Sequence, residues 1–280
     1  MIKYLLMTLG SFLLKFIPLK VAYKLASISV SPVMHFSKDY VNKAERNFEM
    51  MTGRKDKNLV RKLFLNLALN TVDFLRFPYL KFKDIDGLLH INGMERLGEI
   101  YEKKRGIIFI SLHIGNWEIG GFLLAHFGFS PYVVVEPIQP RETLFRKDLI
   151  ANLYRKYREK VGMHQIPLDK IGIGEYKLLR KGKTLVLLGD RDITGTGIEV
   201  EFFKKKVKLP RGPAILALRT NAAIVLGICV RVENYRFFVR IEPIDYSPSE
   251  SVYEITSKIA QRMEFYIRKY PEQWFVFQTL

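Results

Sequence analysis

The run Ile107-Ile-Phe-Ile-Ser-Leu112 constrains the fold more than any other stretch of this chain. It is apolar almost throughout and leads into His113, after which Gly115 and Asn116 precede a helical pattern opening at Trp117 and Glu118. A strand buried on both faces of a parallel sheet reads this way. A base at the carboxyl end of such a strand faces the crevice where open α/β sheets present catalytic groups. Glu118 lies five residues on, across a strand-to-helix bend. It is expected to face His113, fix the imidazole tautomer and stabilise the imidazolium, while the opposite nitrogen takes a proton from a hydroxyl.

Spacing alone does not select this pair. His90 with Glu95 and His164 with Asp169 repeat it. His90 lies in Gly-Leu-Leu-His-Ile-Asn-Gly, a short strand and turn, and His164 in a short strand ended by Pro167. Only His113 has a long apolar strand before it and small residues with a helix after it. For His35, His90, His126 and His164 the bland reading, a surface or satisfied core histidine, is favoured.

Elsewhere strands and helices alternate. Strands are expected at 107–112, 131–136, 184–189 and 223–232, the last pairing with 236–243. Helices are expected at 117–127, 142–161, 172–181, 212–220 and 250–269, and residues 40–80 read as helical, closed by Pro78. The expected fold class is α/β, a mostly parallel central sheet flanked by helices, with an antiparallel pair late in the chain. Residues 1–80 are expected to form a helical, membrane-associating region and 81–280 the α/β domain. A length of 280 residues, 48% of them hydrophobic, supports a sizeable core.

Forty-five Lys and Arg against 28 Asp and Glu give a net charge of +17, which suits anionic partners. The lysines are spread, the aromatics follow core periodicity and no reader motif is present, so no nucleic-acid partner is expected. A basic nucleic-acid-binding protein stands as the non-enzymatic alternative. Cys229, the single cysteine, sits in an apolar run and reads as a buried structural thiol. No Cys/His cluster has zinc-ligand spacing, and neither a Walker loop nor a dinucleotide fingerprint follows a strand. Hence no metal and no bound cofactor are expected.

At the amino terminus, Lys3 and Lys15 bracket eleven residues that are apolar or nearly so. That is short of the ~20 needed to span a bilayer. Lys15, Lys20 and Lys24 then recur beside Phe16, Leu19, Val21 and Leu25. Residues 1 to about 30 read as interfacial helices lying in a membrane surface, peripheral or monotopic, on the cytoplasmic face of a plasma or inner membrane. Packing on the catalytic domain is compatible with this.

With these residues in view, the chain resembles the lipid A late (lauroyl/myristoyl) acyltransferase family, in particular its phosphatidylinositol mannoside acyltransferase branch. The family's His-x4-Asp/Glu motif corresponds to His113-Ile-Gly-Asn-Trp-Glu118. A second block corresponds to Gly189-Asp-Arg-Asp-Ile-Thr-Gly-Thr-Gly-Ile-Glu-Val-Glu-Phe-Phe203 and Leu209-Pro-Arg-Gly-Pro213, and a terminal one to Pro271-Glu-Gln-Trp274. Order and spacing fit from about Ala44 to Trp274. Lys204 stands where the family usually has Gly, and the family's basic-aromatic ending does not follow Trp274.

The resemblance implies a glycerolipid-acyltransferase-like fold, with 81–280 as the acyltransferase domain, and a membrane-associated O-acyltransferase. Its partners would be anionic membrane lipids, a thioester donor (acyl-CoA or acyl carrier protein, as co-substrate) and a glycolipid or phospholipid hydroxyl. His113 would be the general base, with Glu118 and possibly Glu199 compensating its charge; Asn116, Glu136, Arg158, Asp190, Arg191 and Asp192 would line the active-site wall or bind substrate. Backbone amides near Gly115 and Asn116, or Arg191, are candidate oxyanion donors. Trp117, Phe122 and Phe202 are expected along an apolar acyl groove. Arg158 is a candidate for phosphate contacts, and the basic run Lys204–Arg211 reads either as a phosphate-attracting rim or as a solvated hairpin edge. Alternative activities are acylation of a lipid A precursor and thioester hydrolysis.

Overall fold

In the computed structural model, residues 2–136, 147–275 and 277 are described. The chain opens with four helices, Ile2–Leu14 (α1), Leu19–Phe36 (α2), Lys38–Thr52 (α3) and Lys57–Arg76 (α4). Asp56 starts α4 by accepting hydrogen bonds from the amides of Asn58 (2.9 Å) and Leu59 (3.1 Å). The alternating part follows: Leu89–Asn92 (β1), Met94–Glu102 (α5), Ile107–Ser111 (β2), Trp117–His126 (α6), Tyr132–Val135 (β3), Lys147–Lys160 (α7), His164–Pro167 (β4), Ile173–Arg180 (α8) and Thr184–Leu188 (β5). It closes with Ile198–Phe202 (β6), Lys205–Leu209 (β7), Gly212–Thr220 (α9), Ala223–Arg231 (β8), Phe237–Ile244 (β9) and Val252–Lys269 (α10). Each expected strand and helix falls within a few residues of an observed one. For the helix expected at 142–161, residues 142–146 lie outside the described residues.

Seven strands form one sheet in the order β1-β9-β8-β2-β5-β3-β4. Every neighbouring pair is parallel except β8 with β9. All five residues of β2 are buried, as a central strand covered on both faces requires. Side chains alternate across it. Ile108 and Ile110 join Leu185, Ile224 and the helices α3, α4, α9 and α10 in one core, whereas Ile107 and Phe109 pack with α5, α6 and α7 in the other. Phe48 of α3 and Leu63 and Phe64 of α4 belong to the first core, so these two helices are packed against the sheet.

α1 and α2 pack more shallowly, Ala22 and Tyr23 of α2 against Leu69 and Val72 of α4, with Leu14 of α1 at the edge of this cluster. Their outer face carries Leu5, Leu9, Phe12, Phe16, Val21, Leu25 and Ile28, all exposed. No helix among the described residues is long and apolar enough to cross a membrane.

β6 and β7 form a separate two-stranded ribbon. Phe202 pairs with Lys205, leaving a two-residue turn in which Phe203 (φ 53) and Lys204 (φ 59) are both left-handed. Such turns favour Asn and Gly because β-carbons are crowded there. Burial holds Phe203: its ring lies 5.9 Å from that of Trp274 and its amide donates to Glu264 Oε2 at 2.7 Å. Lys204 is exposed and has no such compensation. Lys204→Gly should therefore stabilise the fold by about 0.5–1 kcal/mol, net of glycine's unfolded-state entropy. Thermal unfolding followed by circular dichroism should show the midpoint rise by a few degrees; a lower midpoint would mean the turn does not carry this strain.

Candidate active site

β2 and β5 are parallel neighbours in register, with Ser111 opposite Leu188. Two residues further along each strand the same register brings His113 beside Asp190. The His113 backbone amide donates to Asp190 Oδ2 at 2.9 Å, and Nδ1 lies 2.8 Å from Oδ1. Trp274 Nε1 donates to Oδ2 at 2.9 Å. Asp190 is fully buried. Burial pushes its carboxyl up, but the charge of His113 and the hydrogen bonds from His113 and Trp274 outweigh that and hold it below the usual carboxylate range.

On the other side of the ring, Arg191 Nη2 lies 3.2 Å from His113 Nε2. A guanidinium can only donate and an ionised carboxylate can only accept. Together they specify the neutral tautomer: Nδ1 carries the proton and Nε2 the lone pair. The pairing thus makes Nε2 the acceptor nitrogen, met here by Arg191. Arg191 also approaches Glu136 Oε2 at 3.6 Å, and its Nε is buried without a partner.

Glu118 does not make the contact expected of it. Its carboxylate is gripped by Arg158 of α7, with Nε donating to Oε2 at 2.9 Å and Nη2 donating to Oε1. The phase of α6 explains this. Asn116 is the N-cap, its Oδ1 accepting from the Ile119 amide at 3.1 Å. Trp117 then lies beside the imidazole, ring centroids 5.5 Å apart, and Glu118, about 100° further round the helix, faces α7.

The turn itself is held through its backbone. Gly115 N donates to Gln273 O at 2.9 Å and Asn116 N to Cys229 O at 2.6 Å. These two amides are therefore engaged within the fold and do not point to a substrate oxygen. Asn116 is buried and its Nδ2 donates to Asp73 Oδ2 at 2.7 Å, so it supports the turn from behind instead of lining the wall. Gly115 has φ 61, and a β-carbon there would stand 2.1 Å from Cys229 O. Only glycine fits.

His113 opens into a cavity of about 1530 Å³. It lies at the carboxyl ends of the strands, where β3 and β5 part after the Val133–Val186 pair. Trp117, Glu118, Glu136, Arg158, Arg191 and Asp192 border it, as do Phe109, Leu123, Met163, Gly227 and Ile241 along one sheet face. Asp192 also ties the 192–197 loop, accepting from Thr194 Oγ1 at 3.0 Å and Gly197 N at 2.7 Å.

Several expected neighbours fall outside this cavity. Glu199 is exposed on β6 opposite Lys208, because Val200 and Phe202 take the inward positions of the ribbon. Phe122 and Phe202 are buried in the two cores and do not border the opening. Lys206 and Lys208 stand opposite Glu201 and Glu199, a solvated ribbon of compensated charge, and of the run's basic side chains only that of Arg211 reaches the cavity. Among the described residues no group of three or more His, Cys, Asp or Glu is placed to hold a metal ion.

Sequence reasoning quoted Gln273 and Trp274 in the terminal block without a role for either, and missed Asn70, Asp73 and Arg231 altogether. Asp73 is a lone acid on the apolar side of α4, and Arg231 ends an otherwise apolar strand. A charge isolated in such a setting is the signal that was available. The depressed Asp190 carboxyl gives a pH test. Its contribution to stability is full above the ordinary carboxylate value of about 4 and is lost as pH falls through the lowered one. The margin of the wild type over Asp190→Asn in urea unfolding should shrink in that direction. A margin that widens on acidification would contradict an ionised Asp190.

The model of the family described as bacterial lipid A biosynthesis acyltransferase matches residues 1–280. A phosphatidylinositol mannoside acyltransferase of Mycolicibacterium smegmatis is 26% identical over 241 residues, 83% of this chain and 77% of that protein. A protein of the same name from Mycobacterium tuberculosis is 29% identical over 192 residues, 67% of this chain and 58% of the relative. The matched stretch thus spans less than two thirds of the tuberculosis protein.

Proposed function

Because the chain belongs to the bacterial lipid A biosynthesis acyltransferase family, we propose that it transfers a fatty acyl group from a thioester to a hydroxyl of a membrane glycolipid, with His113 as general base. The observation that carries this reading is an imidazole at the border of a largely apolar-walled cavity, held on Nδ1 by Asp190 and met on Nε2, among the described residues, only by Arg191. The mannosylated phosphatidylinositol acceptor named in the relatives is the acceptor proposed here.

Nε2 takes the acceptor's hydroxyl proton as its oxygen attacks the thioester carbonyl. The tetrahedral oxyanion is stabilised by the Arg191 guanidinium, which exchanges its contact with Nε2 for one with the developing charge. Collapse breaks the carbon–sulfur bond, and the imidazolium returns the proton to the leaving thiolate. No acyl-enzyme is needed. Phe109, Leu123, Met163, Gly227 and Ile241 provide the apolar side along which the alkyl chain leaves water. Arg158, whose Nε and Nη2 are engaged by Glu118, offers the N–H groups left over to the anionic part of a substrate.

Acyl transfer from hexadecanoyl-CoA to phosphatidylinositol dimannoside, read as lipid product against released thiol, tests this. Equal product and thiol are expected; thiol without acylated lipid would make the chain a hydrolase. His113→Ala should lower turnover at least ~10²-fold, and Asp190→Asn on the order of 10³-fold by releasing the tautomer. In double-mutant cycles on kcat/KM, Glu118 should couple to Arg158 by more than about 1 kcal/mol and add independently to Asp190. Coupling of Glu118 to Asp190 instead would restore the direct Glu118–His113 pairing.

The same reading places the protein on an anionic membrane surface, on its cytoplasmic side. α1 and α2 present an exposed apolar face flanked by Lys15, Lys20 and Lys24, with no acidic residue before Asp39. Replacing Phe12, Phe16, Leu25 and Ile28 together by Ser should release the protein from anionic vesicles in flotation assays. Retention of the quadruple variant at high salt would exclude this face as the membrane contact.

A further inference from the structure

Directly behind the His113 turn lies a buried ionic cluster that the proposed chemistry does not use. Arg231, at the end of β8, donates through Nη2 to Asp73 Oδ2 and through Nη1 to the Tyr23 hydroxyl at 3.1 Å. The Tyr23 hydroxyl donates to Asp73 Oδ1 at 2.5 Å. Asp73 Oδ2 also accepts from Asn116, and Arg231 Nη2 reaches Asn70 Oδ1 at 3.2 Å. Tyr23, Asp73, Arg231 and Asn116 are all buried. An ion pair in this setting is costly to desolvate and is weak support for stability by itself. Its connections point to another use.

Two chains of hydrogen bonds run from the cluster to the turn. Asp73 holds Asn116, whose other side-chain atom caps α6, while Asn70 Nδ2 donates to Gly115 O at 2.6 Å. The backbone of Arg231 is clamped by Gln273, with Arg231 N donating to Oε1 at 2.8 Å and Nε2 donating to Arg231 O at 2.7 Å. Gln273 O in turn accepts from Gly115 N, and Phe275 N donates to His113 O at 2.7 Å. The segment 113–116 thus has its rear face fixed by α2, α4, the end of β8 and residues 273–275.

We propose that Tyr23, Asp73 and Arg231 are positioning residues for His113, and that through Tyr23 the helix α2 is a working part of the active site. The inference rests on the reading of His113 as the general base. A general base must meet its hydroxyl within hydrogen-bond reach, and displacement by ~1 Å costs about a hundredfold in rate. Tyr23 is the link on which the proposal turns. It is the cluster's member on α2, whose opposite face carries the exposed Val21, Leu25 and Ile28. Seating of that helix therefore reaches the catalytic turn through the Tyr23 hydroxyl, beside the packing of its ring on Arg231 and of α2 on α4.

Tyr23→Phe tests this while leaving both buried charges paired. Asp73→Asn, which strands Arg231, is the stronger but riskier change, and Tyr253→Phe, exposed on α10, is the control. With hexadecanoyl-CoA and phosphatidylinositol dimannoside in anionic vesicles, Tyr23→Phe should lower kcat about tenfold or more. KM for both substrates should stay within about twofold, and vesicle binding should be unchanged. Independently of activity, hydrogen–deuterium exchange of the full chain should show faster exchange across 113–121 in Tyr23→Phe and not in Tyr253→Phe. Unchanged kcat and unchanged exchange in Tyr23→Phe, even with a lower melting temperature, would overturn the proposal and leave a structural ion pair. Faster exchange in a chain whose wild type transfers no acyl group would keep the positioning role and remove the proposed reaction.

Discussion

Asp190 carries three hydrogen bonds on one buried carboxylate, two from His113 and one from Trp274. Without those donors a fully desolvated carboxylate would protonate, and its hold on the imidazole would weaken. With them it remains ionised. It fixes the backbone at the end of β2, the ring orientation and the tautomer, and it ties all three to residue 274 near the C-terminus. Arg191 completes the specification from the opposite side. The proposed acyl transfer needs a proton acceptor aimed into the crevice, and every such feature follows from this carboxylate lying on the neighbouring strand.

How far the site was legible in the sequence follows from what spacing can encode. The uninterrupted apolar residues of β2 and of Ala223–Val230, and the glycines and asparagine after His113, marked the parallel sheet and the strand that bears the base. Glu118 was placed near His113 correctly in sequence and incorrectly in direction. Five residues across a strand-to-helix bend bound a distance but not the phase of the helix. That phase was set by Asn116, drawn inward by Asp73, 43 positions away. Asp190 was placed at a strand's carboxyl end, yet its contact depends on β2 and β5 being adjacent and in register, which no local pattern displays. Glu199 was misplaced for the opposite reason. It belongs to a ribbon outside the main sheet, where alternation alone turns it to solvent.

The amino-terminal helices join two physical roles that composition kept apart. Their outer face is apolar, exposed and bordered by lysines, as interfacial binding requires. Their inner face places Tyr23 against Asp73 and Arg231. A lone acid and a lone arginine in apolar surroundings are costly unless they meet, and here they meet behind the catalytic turn. Lys204 shows the same economy in the negative: it occupies a left-handed turn position with nothing to offset it, while its neighbour Phe203 is held by packing.

The claim on which this account depends is that Asp190, and not Glu118, governs the His113 imidazole. Nitrogen-15 NMR of the full chain with labelled histidine measures this directly, with His113→Ala used to assign the resonance. In the neutral form of His113 the account predicts a proton on Nδ1 and an unprotonated Nε2, a pattern lost in Asp190→Asn and retained in Glu118→Gln. A proton on Nε2 in the wild type, or loss of the pattern in Glu118→Gln alone, would contradict it.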